Sequence, residues 1–394
     1  MTVLWLAVAC VAMLWGFETW RHRRALRAIP IRIHVNGSRG KSSVTRLIAS
    51  AINESGKRTF AKTTGSKARM IFPDGREEPV IRLSTPNICE QINVLDRARR
   101  EKAEVIVMEC MAVRPDLQRI CEKKIMHSTI GVITNARADH LDVMGPTVAD
   151  VAVALSSTIP RKGLTVVGCS RHAGLMREVA ERRGSIFVVA DPMVIPPNAM
   201  DGFSYLEHEE NVATTLAVTR YLNIPDEVAI RGMHKSTPDV GACTRWHLTR
   251  LGREIEFMNA FAANDLESTI AIWQKLGYST KREDITFALL NLRGDRLDRS
   301  LQFAEAVEDT IRADYYFLVG DIPNAVQRQF ERQVPRDRLK TLGRVTPSAI
   351  FDRIAELSPT RARVGGIGNI GGLGHEILAY VSQPIVSQDG GSSC

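Results

Sequence analysis

The chain has 394 residues, of which 44% are hydrophobic and 24% are charged, a composition that excludes a disordered or fibrous protein. Its length favours two domains over one. Part of the formal net charge of +8 comes from an arginine-rich segment at 18–27. Because the rest of that charge is spread without a dense basic run, no nucleic-acid partner is expected.

The N-terminal segment differs from everything that follows it. Residues 2–17 carry no charge, and Arg21, Arg23 and Arg24 come shortly after them. A membrane-spanning helix needs about 20 mostly apolar residues, and arginines on one flank indicate the cytoplasmic side. A cleaved signal peptide would have a basic start and a small-residue cleavage site, which this segment lacks. We therefore expect residues 1–28 to form a single-pass anchor in the cell membrane, with the catalytic domains in the cytoplasm.

Strands and amphipathic helices alternate after the anchor. The apolar runs at 31–35, 105–108, 129–134, 164–167 and 186–189 are candidate strands. Their continuous apolar character is typical of strands that are covered on both faces, which predicts a parallel sheet between two helix layers. A helix at about 209–222 completes a first domain at 29–240.

A second α/β pattern begins near Gly241. It comprises a hairpin at 246–257 that turns at Gly252, a helix near 266–276, a strand at 315–319 and a strand-turn-helix at 363–380. These elements predict a smaller C-terminal α/β domain at 241–387, followed by a disordered tail at 388–394. The predicted fold class is thus α/β: one transmembrane helix, a P-loop parallel-sheet ATPase domain and a C-terminal α/β domain.

The seven cysteines, Cys10, Cys89, Cys110, Cys121, Cys169, Cys243 and Cys394, are scattered and contain no C-x-x-C pair. This distribution argues for reduced thiols in a cytosolic compartment and against a zinc site or a disulfide framework.

A phosphate-binding loop is the strongest chemical motif. The sequence G-S-R-G-K-S at 37–42 lies between a predicted strand and a predicted helix, where backbone N–H groups and a helix N-terminus can bind phosphate. Lys41 can reach the β- and γ-phosphates, and the Ser42 hydroxyl can hold Mg²⁺. The loop is the short form, because Val35 stands where the longer motif has glycine. The predicted ATP-binding residues of this segment are Asn36, Gly37, Ser38, Arg39, Gly40, Lys41, Ser42 and Ser43.

Two further strand ends carry polar residues. The sequence T-N-A-R-A-D-H-L-D at 134–142 follows one apolar strand, and Glu109 ends another. Carboxyl ends of parallel strands meet at one edge of a sheet, so Glu109, Asp139 and His140 are expected near the phosphates, where Glu109 and His140 could hold a second Mg²⁺. Taken singly, His140 could cap a helix and Glu109 could pair with a surface lysine. Their place beside a phosphate loop favours metal binding.

These motifs together resemble the Mur ligase superfamily, which includes the cell-wall amide ligases and the folylpolyglutamate synthases. S-T-P-N at 84–87 is similar to the family's Thr-Pro loop, which adds Thr85 to Ser42, Glu109 and His140 as metal-site residues. Glu210-Asn211 resembles the Asn-bearing helix near the adenine, which implies ATP binding by Asn211. The segments 259–265 and 293–296 are similar to loops of the family's C-terminal domain.

Two features depart from that family. The nucleotide-sugar-binding first domain of the cell-wall enzymes is missing, because the phosphate loop follows directly after the anchor. Many members carry a carbamylated lysine one helix beyond the histidine, but residues 151–158 contain no lysine and Lys162 follows Pro160. The second-metal geometry therefore stays open, whereas the nucleotide site does not depend on it.

An anchored chain with these motifs most resembles the ligase subunit of bacterial poly-γ-glutamate (capsule polymer) synthases. The resemblance implies glutamate and poly-γ-glutamate as substrates, and other membrane subunits of a synthase and export complex as partners. Self-association of the chain is left open.

The chemistry implied is an ATP-dependent amide ligation. ATP phosphorylates a carboxylate, an amine attacks the acyl phosphate, and ADP and phosphate are released. Charge on the transferred phosphoryl group would be met by Mg²⁺, by Lys41 and by Arg293 or Arg296 from the second domain. The catalytic residues expected are therefore Lys41, Glu109, His140, Arg293 and Arg296.

Two other functions fit parts of the sequence. A membrane-anchored P-loop kinase or ATPase that regulates polysaccharide export would commonly have a tyrosine-rich tail, but no tyrosine follows Tyr380. A module that only binds ATP and recruits partners leaves Glu109 and the D-H-L-D run unexplained.

The sequence G-I-G-N-I-G at 366–371 fits a dinucleotide fingerprint, but its nearest acidic candidate, Asp389, lies in the tail. We interpret it as a tight turn of the C-terminal domain.

Overall fold

A computed structural model describes residues 2–64, 68–82, 85–169, 171–203, 205–238, 243–261, 263, 266–278 and 284–382. The chain divides into two compact units, Met1–Val240 and Gly241–Cys394. Several positions named above lie outside the described residues, namely Gly241, Ser84, Asp389, the tail at 388–394 and part of the segment at 259–265.

The first unit is built on one sheet of eight strands in the order β4-β3-β2-β5-β1-β6-β7-β8. The six neighbouring strands β2-β5-β1-β6-β7-β8 are parallel to one another. Strands β3 and β4 add an antiparallel hairpin at the β2 edge. The predicted parallel sheet is confirmed, although the hairpin was not foreseen. The strands are β1 (Ile31–Asn36), β2 (Thr59–Lys62), β3 (Arg69–Ile71), β4 (Glu77–Pro79), β5 (Val105–Glu109), β6 (Ile130–Ile133), β7 (Leu164–Val167) and β8 (Ile186–Val189), and a short β9 (Tyr205–Leu206) follows them.

Helices cover both faces of this sheet. Fully buried Ile33, Val35 and Val107 pack with α2, α8 and α9 on one face, whereas Ile106 and Met108 face α1 and α3 on the other. The helices are α1 (Thr2–Ala28), α2 (Lys41–Glu54), α3 (Glu90–Arg100), α4 (Pro115–Ile120), α5 (Leu141–Met144), α6 (Val148–Leu155), α7 (Ala173–Arg182), α8 (Glu209–Tyr221) and α9 (Asp226–His234); a π-helix spans Cys121–Met126 and 3-10 turns span Ser156–Thr158 and Pro192–Val194.

Helix α1 is one continuous helix with two different environments. By length and composition it can cross a membrane, and its apolar stretch is not buried in the protein. Its C-terminal part packs against the sheet, because Ala25 is fully buried in the cluster that contains Phe60 and Leu95. The helix thus continues past the arginines and becomes part of the folded unit.

Arg32 at the start of β1 joins this helix end to the π-helix. Its guanidinium donates hydrogen bonds to the carbonyl of Ile29 at 2.7 Å and to the carbonyl of His127 at 2.8 Å. It also donates to the carbonyls of Leu26 and Met126, both at 3.2 Å. The last carbonyls of a helix have no partner inside it, so one side chain completes the ends of two helices here.

The second unit has its own sheet, with strands in the order β14-β13-β12-β15-β11-β10. The predicted hairpin is present as antiparallel β10 and β11, and the strands from β11 to β14 are parallel. The strands are β10 (Cys243–Arg250), β11 (Arg253–Asn259), β12 (Ile285–Leu292), β13 (Tyr315–Gly320), β14 (Leu339–Gly343) and β15 (Arg361–Gly368), and the helices are α10 (Leu266–Leu276), α11 (Leu297–Thr310), α12 (Asn324–Gln333), α13 (Pro347–Leu357) and α14 (Leu373–Val381).

Candidate active site

The phosphate loop connects the carboxyl end of β1 to the N-terminus of α2. Gly37 and Gly40 have φ angles of 137° and 76°, which favour glycine. A Cβ atom on Gly37 would lie 2.0 Å from the Thr134 hydroxyl oxygen, and one on Gly40 would lie 2.9 Å from Oδ1 of Asn211. Both glycines are therefore required by the backbone conformation and by the neighbouring side chains.

The side chain of Asn36 holds the phosphate loop through a hydrogen bond on the buried side of the loop. Its side-chain oxygen accepts a hydrogen bond from the Gly37 amide at 2.9 Å. Its Nδ2 donates to Oε1 of Gln118 at 2.9 Å and to the hydroxyl of Thr158 at 3.2 Å. All three side chains are buried. Both the oxygen and the nitrogen of the Asn36 side-chain amide therefore have partners within the protein. The contact of Asn36 with ATP stays a prediction.

The T-N-A-R segment after β6 braces the same loop. The Ser38 amide donates to the carbonyl of Asn135 and the Arg39 amide donates to its side-chain Oδ1, both at 3.0 Å. The Arg137 amide donates to the Ser38 hydroxyl at 3.0 Å, and the Thr134 hydroxyl donates to the carbonyl of Arg39 at 2.5 Å. The sequence predicted that the T-N-A-R segment and the phosphate loop lie close together at adjacent strand ends. These hydrogen bonds show that the side chains of Thr134 and Asn135 hold the backbone of the loop.

Lys41 is the first residue of α2 and folds over the loop. Its ammonium group donates to the carbonyl of Gly37 at 2.7 Å and to the carbonyl of Ser38 at 3.2 Å. A lysine in this position can exchange those carbonyls for phosphate oxygens without moving its backbone.

Glu109 ends β5 beside the loop, in register with Val35 of β1. Its Oε2 accepts a hydrogen bond from the Ser42 hydroxyl at 2.9 Å and another from the Thr64 amide at 2.6 Å. The residue is 2% exposed. The side chain of Gln91 donates to its backbone carbonyl at 3.3 Å. A buried carboxylate beside a hydroxyl is a pair of hard oxygen donors, which fits Mg²⁺.

His140 and Thr85 occupy different surroundings. The His140 side chain is 52% exposed, and its Nε2 lies 3.9 Å from Oδ1 of Asp139, which itself lies 3.9 Å from Nη2 of Arg39. His140 precedes α5 at the capping position with a φ of 47°, but its side chain makes no capping hydrogen bond. Thr85 is exposed. Over the described ranges, no group of three or more His, Cys, Asp or Glu side chains is arranged to hold a metal ion, so the metal roles of both residues stay predictions.

Asn211 reaches the loop from α8. Its Nδ2 donates to Oε1 of Glu207 at 2.7 Å, and its Oδ1 is the atom nearest to a Cβ placed on Gly40. Glu207 is itself buried. Asn211 was predicted from its motif, but Glu207 was not, because Glu207 lies before the start of α8 and no helical spacing relates the two residues.

A buried ion pair lies on β1 beneath the site. Nδ1 of His34 lies 2.9 Å from Oε2 of Glu122 in the π-helix, and Oε1 of Glu122 accepts bonds from the amide and hydroxyl of Ser128. Burial opposes protonation of His34, but hydrogen bonds to Cys110 and Glu122 outweigh it and raise the pKa of His34 to about 10. The strand that leads into the phosphate loop therefore carries an imidazolium at neutral pH.

The segment where many Mur ligases carry a carbamylated lysine is here α6 and the turn after it. Thr147 and Asp150 form a reciprocal capping box at the start of α6. The helix contributes buried Val151, Ala152 and Leu155 to the core. Lys162 has a φ of 52° in the turn before β7. The helix therefore serves packing.

In the second unit, Arg293 and Arg296 follow the carboxyl end of β12. Arg293 binds Asp295 through hydrogen bonds of 2.9 and 2.6 Å, and Arg296 is exposed. A cavity of about 760 Å³ opens at this edge, where Arg293, Asp321, Arg344 and Glu376 line it. The catalytic roles assigned to the two arginines stay predictions.

The glycine run at 366–371 belongs to the β15 strand and the turn after it. A Cβ atom on Gly366 would lie 2.8 Å from both Phe257 and Phe261, so its glycine is explained by packing. Gly368 ends the strand with a φ of 97°. These contacts agree with the interpretation of a turn in the C-terminal domain.

Known proteins match both units. Residues 35–188 match the Mur ligase middle domain, and residues 246–384 match the poly-gamma-glutamate synthase CapB C-terminal domain. The chain is 35% identical over 394 residues to PGA synthase CapB of Bacillus subtilis, which covers 98% of this chain and 99% of that protein. The chain belongs to the CapB family of Mur ligases. It is also 37% identical over 383 residues to the capsule biosynthesis protein CapB of Bacillus anthracis, which covers 95% of this chain and 82% of that protein.

The CapB assignment confirms the resemblance stated from the motifs. A crystal structure of a bifunctional folylpolyglutamate synthase/dihydrofolate synthase, with Mn, AMPPNP and L-glutamate bound, has the same fold. Its TM-score is 0.65 at 15% identity, with 92% of each chain covered. As a CapB-family Mur ligase, the chain is an ATP-dependent enzyme that forms amide bonds, and the predicted enzyme class is confirmed.

Proposed function

We propose that this enzyme elongates a poly-γ-glutamate chain by ATP-dependent amide ligation through an acyl-phosphate intermediate. Two relatives that span nearly the whole chain are named for PGA synthesis and capsule biosynthesis. The observation that carries the chemistry is the hydrogen bond between Ser42 and buried Glu109 at the end of the phosphate loop. It supports a site where a phosphoryl group is activated.

The residues of the first unit account for activation of a carboxylate. A free carboxylate is a poor electrophile, and transfer of the γ-phosphate of ATP to it creates a good leaving group. The backbone of the loop holds the phosphates at the N-terminus of α2, where the helix dipole favours negative charge. Lys41 then stabilises charge on the transferred group. Attack by the amine of glutamate forms the amide and releases phosphate.

Mg²⁺ fits the donor set of this site. Ser42 and Glu109 would hold it, and His140 and Thr85 are the further residues proposed to take part. When bound, the ion neutralises phosphate charge. The buried carboxylate of Glu109 is fixed by the Thr64 amide, so the protein holds a negative charge in place beside the loop.

The remaining assignments concern location and partners. Helix α1 is proposed as a single-pass anchor with both units in the cytoplasm, because the arginines follow its apolar part. Other membrane subunits are proposed as partners in synthesis and export. A kinase or export ATPase would also explain an anchor and a phosphate loop, but membership of an amide-ligase family argues against it.

Isotope transfer tests the proposed mechanism. The purified full-length protein is supplied with ATP, Mg²⁺, glutamate and a glutamate oligomer, and the carboxylates of both substrates are labelled with oxygen-18. Acyl-phosphate formation predicts ADP, and it predicts one label atom in the released phosphate for each amide made. Hydroxylamine in place of the amine should give a hydroxamate only with ATP. Unlabelled phosphate during measurable amide synthesis, or AMP as product, contradicts the mechanism.

The amino-acid partner is tested in the same assay. Replacing glutamate by aspartate or glutamine should abolish polymer growth if the substrate assignment is right. Equal incorporation of another amino acid would contradict glutamate as the substrate but would leave the proposed ligase mechanism standing.

A further inference from the structure

Helix α1 runs alongside α3 in the same direction, as a shared groove and two hydrogen bonds show. Glu18 lines a groove together with Cys89, which lies at the start of α3. Further along, Nη2 of Arg21 donates to Oδ1 of Asn93 at 2.8 Å. Beyond the ends of both helices, the Ile31 amide donates to the carbonyl of Glu104 at 3.4 Å.

The direction of α3 fixes the direction of α1 relative to the catalytic residues. Helix α3 leads into β5, and β5 is parallel to β1, so α3 runs from the carboxyl edge of the sheet to its amino edge. The carboxyl edge carries the phosphate loop and Glu109. Helix α1 therefore meets the unit at this edge near Glu18 and ends at the opposite edge.

The membrane-spanning part of α1 consequently leaves the unit on the side of the carboxyl edge. From Glu18 to Ala28 the helix rises about 15 Å at roughly 1.5 Å per residue, which is close to the length of β1. Residues 2–17 precede this docked segment and extend away from the protein, and their side chains are exposed. Trp20 is 54% exposed, at the level where aromatic residues favour the membrane interface.

One exposed apolar side chain, that of Ile81, lines the same groove as Glu18. Ile81 follows β4 and is 83% exposed. It lines a groove of about 680 Å³ together with Glu18, Val80, Thr85 and Asn87. Isolated exposed apolar residues are ordinary on protein surfaces, but this one lies beside the point where a spanning helix enters the unit.

We propose that this groove opens onto the cytoplasmic surface of the bilayer and that the side chain of Ile81 contacts lipid. The five residues Glu18, Val80, Ile81, Thr85 and Asn87 form this membrane-side surface. The inference rests on the spanning helix of the proposed function. It adds an orientation, in which the edge carrying the Thr-Pro segment faces the membrane and the β3–β4 turn faces away from it.

Photocrosslinking of the full-length protein in its native membrane tests the orientation. In one variant Ile81→p-benzoylphenylalanine places the crosslinker on the membrane-side surface. In the matched control, Asp74→p-benzoylphenylalanine places it in the β3–β4 turn of the same hairpin, where the Asp74 side chain is 63% exposed. After irradiation the purified chains are analysed by mass spectrometry for phospholipid adducts.

We expect adducts at position 81 and only the unirradiated background at position 74. Adducts at 74, or none at either position while the chain fractionates with membranes, would overturn the orientation but leave the anchor and the ligase mechanism intact. A full-length chain that remains soluble would reject both the anchor and this inference. The oxygen-18 assay remains independent of both results.

Discussion

The hydroxyl of Ser42 donates a hydrogen bond of 2.9 Å to the carboxylate of Glu109, which is 67 positions away in the sequence. Ser42 lies in the first turn of α2, and Glu109 ends the neighbouring strand β5. The bond joins the phosphate loop to a second strand end. The proposed metal site is therefore partly assembled by the fold itself.

Glu109→Gln tests that site with little change of shape. The amide keeps an acceptor for Ser42 but loses the charge that would bind Mg²⁺. We expect the Mg²⁺ concentration for half-maximal turnover to rise by at least roughly tenfold and turnover to fall. Glu104→Gln, at an exposed carboxylate near the amino end of β5, is the control. An unchanged magnesium dependence in Glu109→Gln would contradict the assignment.

His140→Ala is expected to impair the chemical step more than ATP binding, although the side chain is half exposed. Single-turnover phosphate release and ATP binding, measured separately, distinguish the two effects. Loss of ATP affinity with normal turnover at saturation would count against a metal role for His140.

Lys41→Ala should lower kcat by at least about 100-fold, since it removes the cation that meets the transferred phosphoryl group. Lys57→Ala removes a half-buried charge next to β2 in the same unit and should leave kcat unchanged. Steady-state ADP release measures both variants. Near-normal turnover in Lys41→Ala would exclude the phosphate-loop assignment.

Gln118→Met should weaken ATP binding without touching the nucleotide. Methionine has nearly the same side-chain volume as glutamine but cannot accept the hydrogen bond from Asn36. Asn36 in turn orients the Gly37 amide. Losing one buried hydrogen bond of about 1.4 kcal/mol corresponds to a roughly tenfold rise in KM for ATP. We expect kcat to change much less than KM. A lower apparent kcat with an unchanged KM for ATP would indicate loss of folded enzyme instead.

His34 should make stability depend on pH. Its pKa is about 10 in the folded protein and about 6.5 when unfolded, so the folded state binds the proton more tightly. The stabilisation is complete below pH 6.5 and disappears as the pH rises through 10. His34→Gln leaves Glu122 buried without its cation, which costs on the order of 3 kcal/mol at neutral pH.

Thermal denaturation of wild type and His34→Gln across this range checks the sign. The difference in melting temperature should be largest near pH 6.5 and shrink toward pH 10. A constant difference would show that His34 is neutral in the folded protein.

Two truncations separate the membrane part of α1 from its docked part. Deleting residues 2–17 should release the protein from membranes and preserve ATP binding and the melting temperature. Deleting residues 2–28 also removes the buried contacts of Ala25 and Leu26, and should cost about 2 kcal/mol of stability. Membrane fractionation and thermal melts measure these outcomes. A short truncation that stays in the membrane pellet would contradict the anchor.

The sequence was most informative where structure is local. The loop at 37–42 and the two elements beside it were predicted because glycine, lysine and hydrophobic periodicity act over a few residues. The partners of Asn36 were not predictable, since Gln118 and Thr158 lie 82 and 122 positions away. Asn36 was predicted as an ATP contact from the motif, and that contact stays a prediction, but its place in a buried network next to the loop could not be predicted.

The same limit applies to the end of α1. The arginines after Trp20 indicated where the apolar segment stops, and all of residues 1–28 were assigned to the anchor. The buried contacts of Ala25 depend on α3, about seventy positions further along the chain, which no local pattern reveals. The π-helix at Cys121–Met126 also has no sequence signature of its own, although its Glu122 forms the ion pair with His34.

Only Ile29 and Pro30 separate α1 from β1, and β1 leads straight into the phosphate loop. With Arg32 holding the helix end to the sheet, there is no hinge between the spanning segment and the nucleotide site. Spanning helices adjust to bilayer thickness by tilting, by about 20° on average. For the proposed membrane-anchored protein, a thinner or thicker membrane would therefore tilt the first unit, and lipid composition would set the angle between that unit and the bilayer.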